Sequence, residues 1–141
     1  MGNRNIKSYV FKLLSKRDYF SSELKDILLK KGFPEEDINH IIEYLKKNGY
    51  IDDEKLKERF IERYLEKGKS PVYIKNKLYQ KGITDEIKIS FEDELNSALN
   101  LLRFKYRKSK DFKEVVKFLS YRGFSYDVIS EAYRIFTEEE K

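Results

Sequence analysis

The chain has 141 residues, of which 39% are charged, with a net charge of +5, a pI near 9.1 and a mean hydropathy of −0.74. It has no cysteine and one histidine, which excludes disulfides, thiolate metal sites and a histidine cluster. Its 11 Tyr and 10 Phe exclude a disordered polyampholyte, and no run approaches the roughly 20 apolar residues of a membrane span.

The first helical pattern covers 6–17, with Tyr9, Val10, Leu13 and Leu14 on one side. Ser21 or Ser22 is expected to cap a second helix through Leu24, Ile27 and Leu28 to Lys31-Gly32. Pro34-Glu35-Glu36-Asp37 is an acidic first turn, and Ile38, Ile41, Ile42 and Leu45 carry a third helix to Asn48-Gly49. Asp52 and Asp53 are N-cap candidates for a fourth, with Phe60, Ile61, Tyr64 and Leu65 at helical spacing before Lys67-Gly68. Ser70-Pro71 opens a fifth, with Ile74 and Leu78 as its buried stripe, and Lys81-Gly82 stops it. Thr84-Asp85-Glu86 is read as the start of a short sixth helix through Ile87 and Phe91. A seventh covers roughly 91–108, with Leu95, Leu99, Leu102 and Tyr106 three to four apart. Asp111 caps an eighth with Val115, Val116 and Leu119, and Ser125 caps a ninth over 126–137. No strand is expected, because alternating patterns are absent. The N-terminal stretch lacks an apolar signal core, so a soluble cytoplasmic protein is expected.

Internal repetition is the strongest signal. Leu28 to Gly32-Phe33-Pro34, Leu78 to Gly82-Ile83-Thr84 and Leu119 to Gly123-Phe124-Ser125 share one pattern. Each has leucine four before the glycine, a cation just before it, a large apolar residue after it and then a helix-starting residue. Leu24, Ile74 and Val115 lie eight before the glycine in each copy. The glycine reads as the residue just past a helix end, with the next apolar residue folding back on that helix. The expected architecture is therefore all-α, three tandem three-helix repeats over 1–51, 52–91 and 91–141. They should form an elongated, curved rod with a radius of gyration clearly above the ~14 Å of a compact domain of this size.

Charge alternates in blocks. Residues 69–83 carry four basic and no acidic side chains, and residues 99–122 carry eight basic and two acidic. Basic faces are thus possible, for nucleic acid or for an acidic protein.

These residues resemble the RecX family, bacterial modulators of the RecA recombinase. The resemblance is carried by Gly49-Tyr50-Ile51-Asp52-Asp53, Lys67-Gly68-Lys69-Ser70-Pro71, Ile74, Leu78, Lys81-Gly82-Ile83, and Ser22-Glu23-Leu24 with Lys31-Gly32-Phe33. It covers nearly the whole chain. Leu56 and Lys57 stand where the family commonly shows an aromatic and a small residue, and Ser70 where a second glycine is frequent. The resemblance implies a non-enzymatic regulator that binds the RecA filament, lies in its helical groove, inhibits its ATPase and strand exchange, and binds DNA with little sequence preference. A curved rod of repeats suits a helical groove and contact with several subunits at once.

Lys69, Tyr73, Lys77 and Lys81 fall on one row beside the Ile74/Leu78 stripe. They are candidates for a cationic ridge toward acidic recombinase side chains, with Tyr73 as an anchor. The bland alternative is a solvated face whose lysine stems cover apolar surface. Arg103, Arg107 and Lys110 fall at helical spacing, and Lys113 and Lys117 share a row on the next helix, with Phe104, Tyr106 and Tyr121 interleaved. Cations among aromatics suit single-stranded nucleic acid, through backbone charge and base stacking. The bland alternative places the aromatics in the core. Charge reversal at Arg103 and Arg107 is expected to weaken DNA binding and its salt dependence.

Asp52 and Asp53 are read as caps, since two adjacent carboxylates without a third ligand make a poor metal site. His40 is read as partly exposed and structural, and Tyr44, Tyr64 and Tyr133 as edge-of-core residues with wet hydroxyls. No cofactor, metal or catalytic residue is expected, and a monomer is expected. The competing class is a stand-alone DNA-binding helical module acting by competition for DNA. An enzyme finds no nucleophile–base pair, phosphate loop or metal cluster to support it.

Overall fold

The structure, a computed structural model, describes residues 3–139, with side chains from Ile6 onward. Those residues form eight α-helices and no strand: α1 (Asn3–Leu14), α2 (Ser21–Lys31), α3 (Glu35–Lys47), α4 (Asp53–Glu66), α5 (Pro71–Gln80), α6 (Phe91–Lys105), α7 (Phe112–Tyr121) and α8 (Tyr126–Glu139). No helix among them is long and apolar enough to cross a membrane. Packing divides the chain into two compact units. One runs to Arg59 and includes Lys81–Ile83; the other holds Phe60–Gln80 and continues from Thr84. The division falls inside the expected middle repeat, 52–91, and α4 begins in the first unit and ends in the second.

In the first unit, Ile6 and Val10 of α1, Leu24 and Leu28 of α2, and Ile38, Ile41, Ile42 and Leu45 of α3 make one buried cluster with Ile51. These are the apolar positions that helical spacing selects. Leu24 and Leu28 are fully buried, each worth roughly 1.5–3 kcal/mol in transfer from water. In the second unit, α8 packs against α6 and α7. Leu99, Leu102, Val115, Leu119, Val128 and Ile129 fill that core.

The glycine corners fold as their pattern requires. Gly32, Gly82 and Gly123 adopt φ of 98°, 84° and 93°, a region L side chains avoid. After Gly32 the Phe33 N–H donates to Leu28 O at 3.2 Å, and after Gly123 the Phe124 N–H donates to Leu119 O at 3.3 Å. These bonds satisfy carbonyls that a helix end would otherwise leave open, and they turn the apolar residue back onto its helix.

Three expectations are corrected. Residues 84–90 are not helical, so eight helices stand where nine were expected. A helix nucleus is costly, this stretch is short and holds Ile87 and Ile89, and Ser90 is already committed as the extended N-cap of α6, accepting from Asp93 N–H at 3.0 Å. Helix α6 ends at Lys105, not Lys108, because Tyr106 leaves helical geometry (φ −85°, ψ 122°) and buries its ring. The N-cap of α2 is Phe20 rather than Ser21 or Ser22. The Phe20 N–H is taken by the Glu23 carboxylate at 2.9 Å, the carboxylate half of a capping box.

Candidate functional site

The central ridge is built on the end of α4 and on α5. Ser70 caps α5, accepting from Tyr73 N–H at 3.2 Å. The corner before it is fixed to α6: Ser97 donates to Lys69 O at 2.6 Å, and Gly68 lies so near Leu101 that a Cβ there would be 3.0 Å from the Leu101 Cβ. With the backbone held, Lys69 and Lys77 both lie over the Tyr73 ring, their Nζ atoms 4.7 and 5.5 Å from its centroid. Tyr73 in turn lies 5.8 Å from Tyr64, and Tyr64 4.5 Å from Phe60. Arg63 and Lys67 flank the Tyr64 ring at 5.8 and 5.4 Å. The result is an aromatic row, Phe60–Tyr64–Tyr73, with four cations along it. Each cation–ring contact at a partly exposed site is worth roughly 0.5–1 kcal/mol. Among the described residues no carboxylate pairs with Lys69 or Lys77, so their charge is not compensated locally.

Beside this row an open groove of about 440 Å³ is lined by Lys69, Val72, Tyr73, Leu101, Tyr121 and Arg122 among others. Val72 is 54% and Tyr121 80% exposed. The Arg122 guanidinium stacks 3.8 Å from the centroid of Phe118. Tyr121, expected among the aromatics of the more C-terminal basic face, therefore lines the groove beside Tyr73.

Lys81, the fourth residue of the expected ridge, belongs to the first unit. Its Nζ lies 3.0 Å from Glu23 Oε2, which also receives Arg17 at 3.3 Å. Burial alone would raise the Glu23 carboxyl, but the Phe20 N–H, Lys81 and Arg17 together outweigh it and hold the group below the usual carboxylate range. Lys69, Tyr73 and Lys77 are thus brought together, and Lys81 is committed to an ion pair.

The second basic face differs. The expected continuous row of Arg103, Arg107 and Lys110 does not form, because α6 stops at Lys105. Arg103 makes a forked ion pair with Glu139, its Nε 3.0 Å from Oε2. That hydrogen bond raises the arginine against the opposing effect of burial, and it lowers Glu139. Arg107 turns back on the end of α6, donating to the carbonyls of Arg103, Phe104 and Tyr106 at 3.5, 3.3 and 3.0 Å. Lys110 lies 5.4 Å from the Phe136 centroid. Lys113 and Lys117 are exposed on α7. Of the interleaved aromatics, Tyr106 is a core residue, edge-on to Phe118 at 4.9 Å and donating to Ser109 O. Burial, with Glu114 and Asp111 nearby, pushes its phenol up. Phe104 is 71% exposed.

Asp52 caps α4, accepting from Lys55 N–H at 3.2 Å. Asp53 instead accepts from both Ser21 N–H, at 2.9 Å, and Ser21 Oγ, at 2.5 Å, and so serves the first turn of α2. Among the described residues no three His, Asp or Glu side chains converge as a metal site would require. Tyr64, Arg63 and Lys67 extend the row beyond the residues expected in the ridge. The signal was present in the i, i+4 pair Phe60/Tyr64 and the cations on either side of Tyr64.

The family model described as "RecX, first three-helix domain" matches residues 7–45, which contain α2 and most of α1 and α3. The chain is 32% identical over 133 residues to a regulatory protein RecX of Legionella pneumophila (strain Corby), covering 87% of this chain and 89% of the relative. It is 34% identical over 136 residues to one of Vibrio campbellii, covering 89% and 88%. It is 31% identical over 149 residues to one of Clostridium perfringens (strain 13 / Type A), covering 95% and 69%.

Proposed function

Because the chain belongs to the RecX family of regulatory proteins, we propose that it binds the RecA recombinase filament and its DNA and inhibits the recombinase's ATPase and strand exchange, with no catalysis of its own. The observation that carries this reading is the uncompensated cation–aromatic row on α4 and α5. Rings held in place by packing, with ammonium groups on their faces, suit an acidic protein surface. An aromatic anchor contributes apolar area at low entropic cost, and the charges speed and orient the encounter. Lys69, Tyr73 and Lys77 are the proposed recombinase contacts, extended to Arg63 and Lys67. Lys81 acts through Glu23 as a support for the corner that follows α5.

DNA contact is assigned chiefly to Lys113 and Lys117, with Lys110 beside them and Phe104 as the exposed ring. Arg103 and Arg107 hold the end of α6 in this reading and contribute field rather than contact. The chain is taken as three repeats, 1–51, 52–91 and 91–141, the middle one formed by two helices and an extended connection. Repeats of this kind present several contact points to a polymeric partner.

The test is the DNA-dependent ATPase of RecA titrated with this protein. Inhibition well below one copy per DNA-binding footprint of the recombinase supports direct action on the filament. Inhibition only when the DNA is saturated supports the competing reading, a DNA-binding module that excludes the recombinase.

A further inference from the structure

Of the three repeated corners, at Gly32, Gly82 and Gly123, two are seated in the same way. A Cβ on Gly82 would lie 2.8 Å from Ser22 Oγ and 2.9 Å from Ser22 Cβ, and a Cβ on Gly123 would lie 2.8 Å from Val72 Cβ. Ser22 and Val72 are both the second residue of their helices, α2 and α5. Ser22 stands ten residues before Gly32, and Val72 ten before Gly82. Each corner therefore sits on the first turn of the second helix of the preceding repeat, and only a residue without a side chain lets the backbone come so close. At Gly82 the seat is completed by polar contacts. Ser22 Oγ donates to Lys81 O at 2.5 Å, and Lys81 pairs with Glu23, the third residue of α2, at 3.0 Å.

The series leaves half a contact in the first repeat and half in the last. Gly32 has the same left-handed backbone, yet among the described residues nothing lies within 4 Å of where its Cβ would be. Around it is an open hollow of about 590 Å³ lined by Tyr9, Lys12, Lys31, Phe33 and Pro34 among others. In the last repeat the first turn of α7 bears no corner, and Asp111, Phe112, Lys113 and Glu114 are all exposed. The register carries over. Lys113 stands ten before Gly123, in the place of Ser22 and Val72, and Glu114 stands in the place of Glu23. Lys31 stands before Gly32 as Lys81 stands before Gly82.

We propose that a second copy of this chain fills each half. The corner Lys31-Gly32-Phe33 of one copy seats on the first turn of α7 of another, and Lys31 pairs with Glu114 across the boundary as Lys81 pairs with Glu23 within it. Asp111 and Glu114 outnumber Lys113 on the helix turn, and they face Lys12, Lys30 and Lys31 around the corner. The contact is heterologous, a head meeting a tail, so each bound copy still offers a half to the next. One corner on one helix turn buries far less than the ~1,000 Å² of a stable interface. The free chain is therefore monomeric when dilute, with a dissociation constant on the order of 0.1–1 mM. Copies aligned on a polymer meet at a much higher effective concentration. The inference does not depend on which polymer the protein binds.

Sedimentation equilibrium of the full chain up to millimolar concentration tests it, together with carbodiimide cross-linking of a mixture of isotopically light and heavy protein. The expected result is an average mass rising with concentration above the 17.0 kDa of one chain, and a mixed-isotope cross-link joining Lys31 to Glu114. Lys31→Glu and Glu114→Lys should each weaken association about tenfold or more, since each sets like charges in contact. Mixing the two variants should restore association with the two alternating along the series, since the parental pair forms at one junction and the charge-reversed pair at the next, while like variants repel. Carrying both changes in one chain should restore the concentration-dependent mass. Both side chains are exposed, so the fold is not at risk, and circular dichroism checks it. A mass fixed at one chain, single variants that associate as the parent does, or a mixture that fails to recombine would each overturn the proposal. So would loss of recombinase inhibition in Lys31→Glu with self-association unchanged, which would assign the corner to a partner's helix.

Discussion

Around α5, Lys69 of the preceding corner and Lys77 of the helix rest on the face of Tyr73, 4.7 and 5.5 Å from its centroid. On α6, Arg103 closes on Glu139, and Arg107, just past the helix, folds over the carbonyls that end it. Both stretches show cations beside aromatics in the sequence, and they differ in what the cations face. A ring leaves an ammonium group its full charge and only part of its hydration. A carboxylate in a forked pair cancels the charge of a guanidinium and occupies its donors. Local charge density in a sequence therefore overstates a binding footprint wherever the opposite charge arrives from far along the chain, here 36 residues away.

The largest expected effect tests that contrast directly. Replacing Tyr73 by alanine removes the ring on which two lysines rest and should raise the half-inhibitory concentration in the recombinase ATPase assay about 30-fold, the ~2 kcal/mol of an anchor residue. Arg103→Gln in the same assay should change it less than about threefold. If Arg103→Gln proves the more damaging, the assignment of the two faces is reversed. A thermal melt of Tyr73→Ala separates lost contact from lost packing against Tyr64.

The next effect concerns DNA. Replacing both Lys113 and Lys117 by glutamine removes two exposed charges and should lower the slope of log affinity against log salt by about 1.4–1.8. Replacing Arg103 and Arg107 together should lower it far less, because their donors are already spent. Fluorescence anisotropy with a labelled oligonucleotide at several salt concentrations reads both. Equal slopes for the two double variants would mean that the forked pair opens on binding.

A smaller effect is on stability. The Arg103–Glu139 pair is 40% and 41% exposed at its side chains, so solvent screens it, and Arg103→Gln should cost less than about 1 kcal/mol in urea unfolding. Loss well beyond that would show that the pair holds the end of α8 in place.

Features governed by local physics are legible in the sequence itself. A glycine after a lysine or arginine at the close of an apolar stripe asks for φ > 0, and the corners at Gly32, Gly82 and Gly123 adopt it. Ser70 and Asp52 cap where their spacing places them. What was not legible depends on partners distant in sequence. Asp53 reads as a cap of its own helix, yet its carboxylate serves Ser21, 32 residues earlier. Helix α6 carries good helix formers through Lys108, but burying the ring of Tyr106 ends it three residues sooner. Thr84-Asp85-Glu86 resembles a helix start, and too little apolar periodicity follows to sustain one. Lys81 falls on the row of Lys69, Tyr73 and Lys77 by spacing alone, and it leaves them for Glu23.

Lys81 gives the finest test of the contrast, through pH. Glu23 is held below its ordinary value of 4.5 by Phe20 N–H, Lys81 and Arg17 acting against burial. A carboxyl depressed in the folded state binds protons less readily there than in the unfolded chain. Its contribution to stability is then complete above the unfolded value and is lost as pH falls through the folded one. Unfolding free energy should accordingly decline as pH drops below about 4.5, and Glu23→Gln should flatten part of that decline. Lys81→Met removes one of the three partners and should move the Glu23 titration, followed by carboxyl NMR shifts, back toward its ordinary value, while the Phe20 N–H and Arg17 keep it depressed. At neutral pH the same variant should leave recombinase inhibition within about twofold of the parent, since its ammonium is engaged at home. A large loss of inhibition with an unmoved Glu23 titration would return Lys81 to the ridge and remove it from the corner.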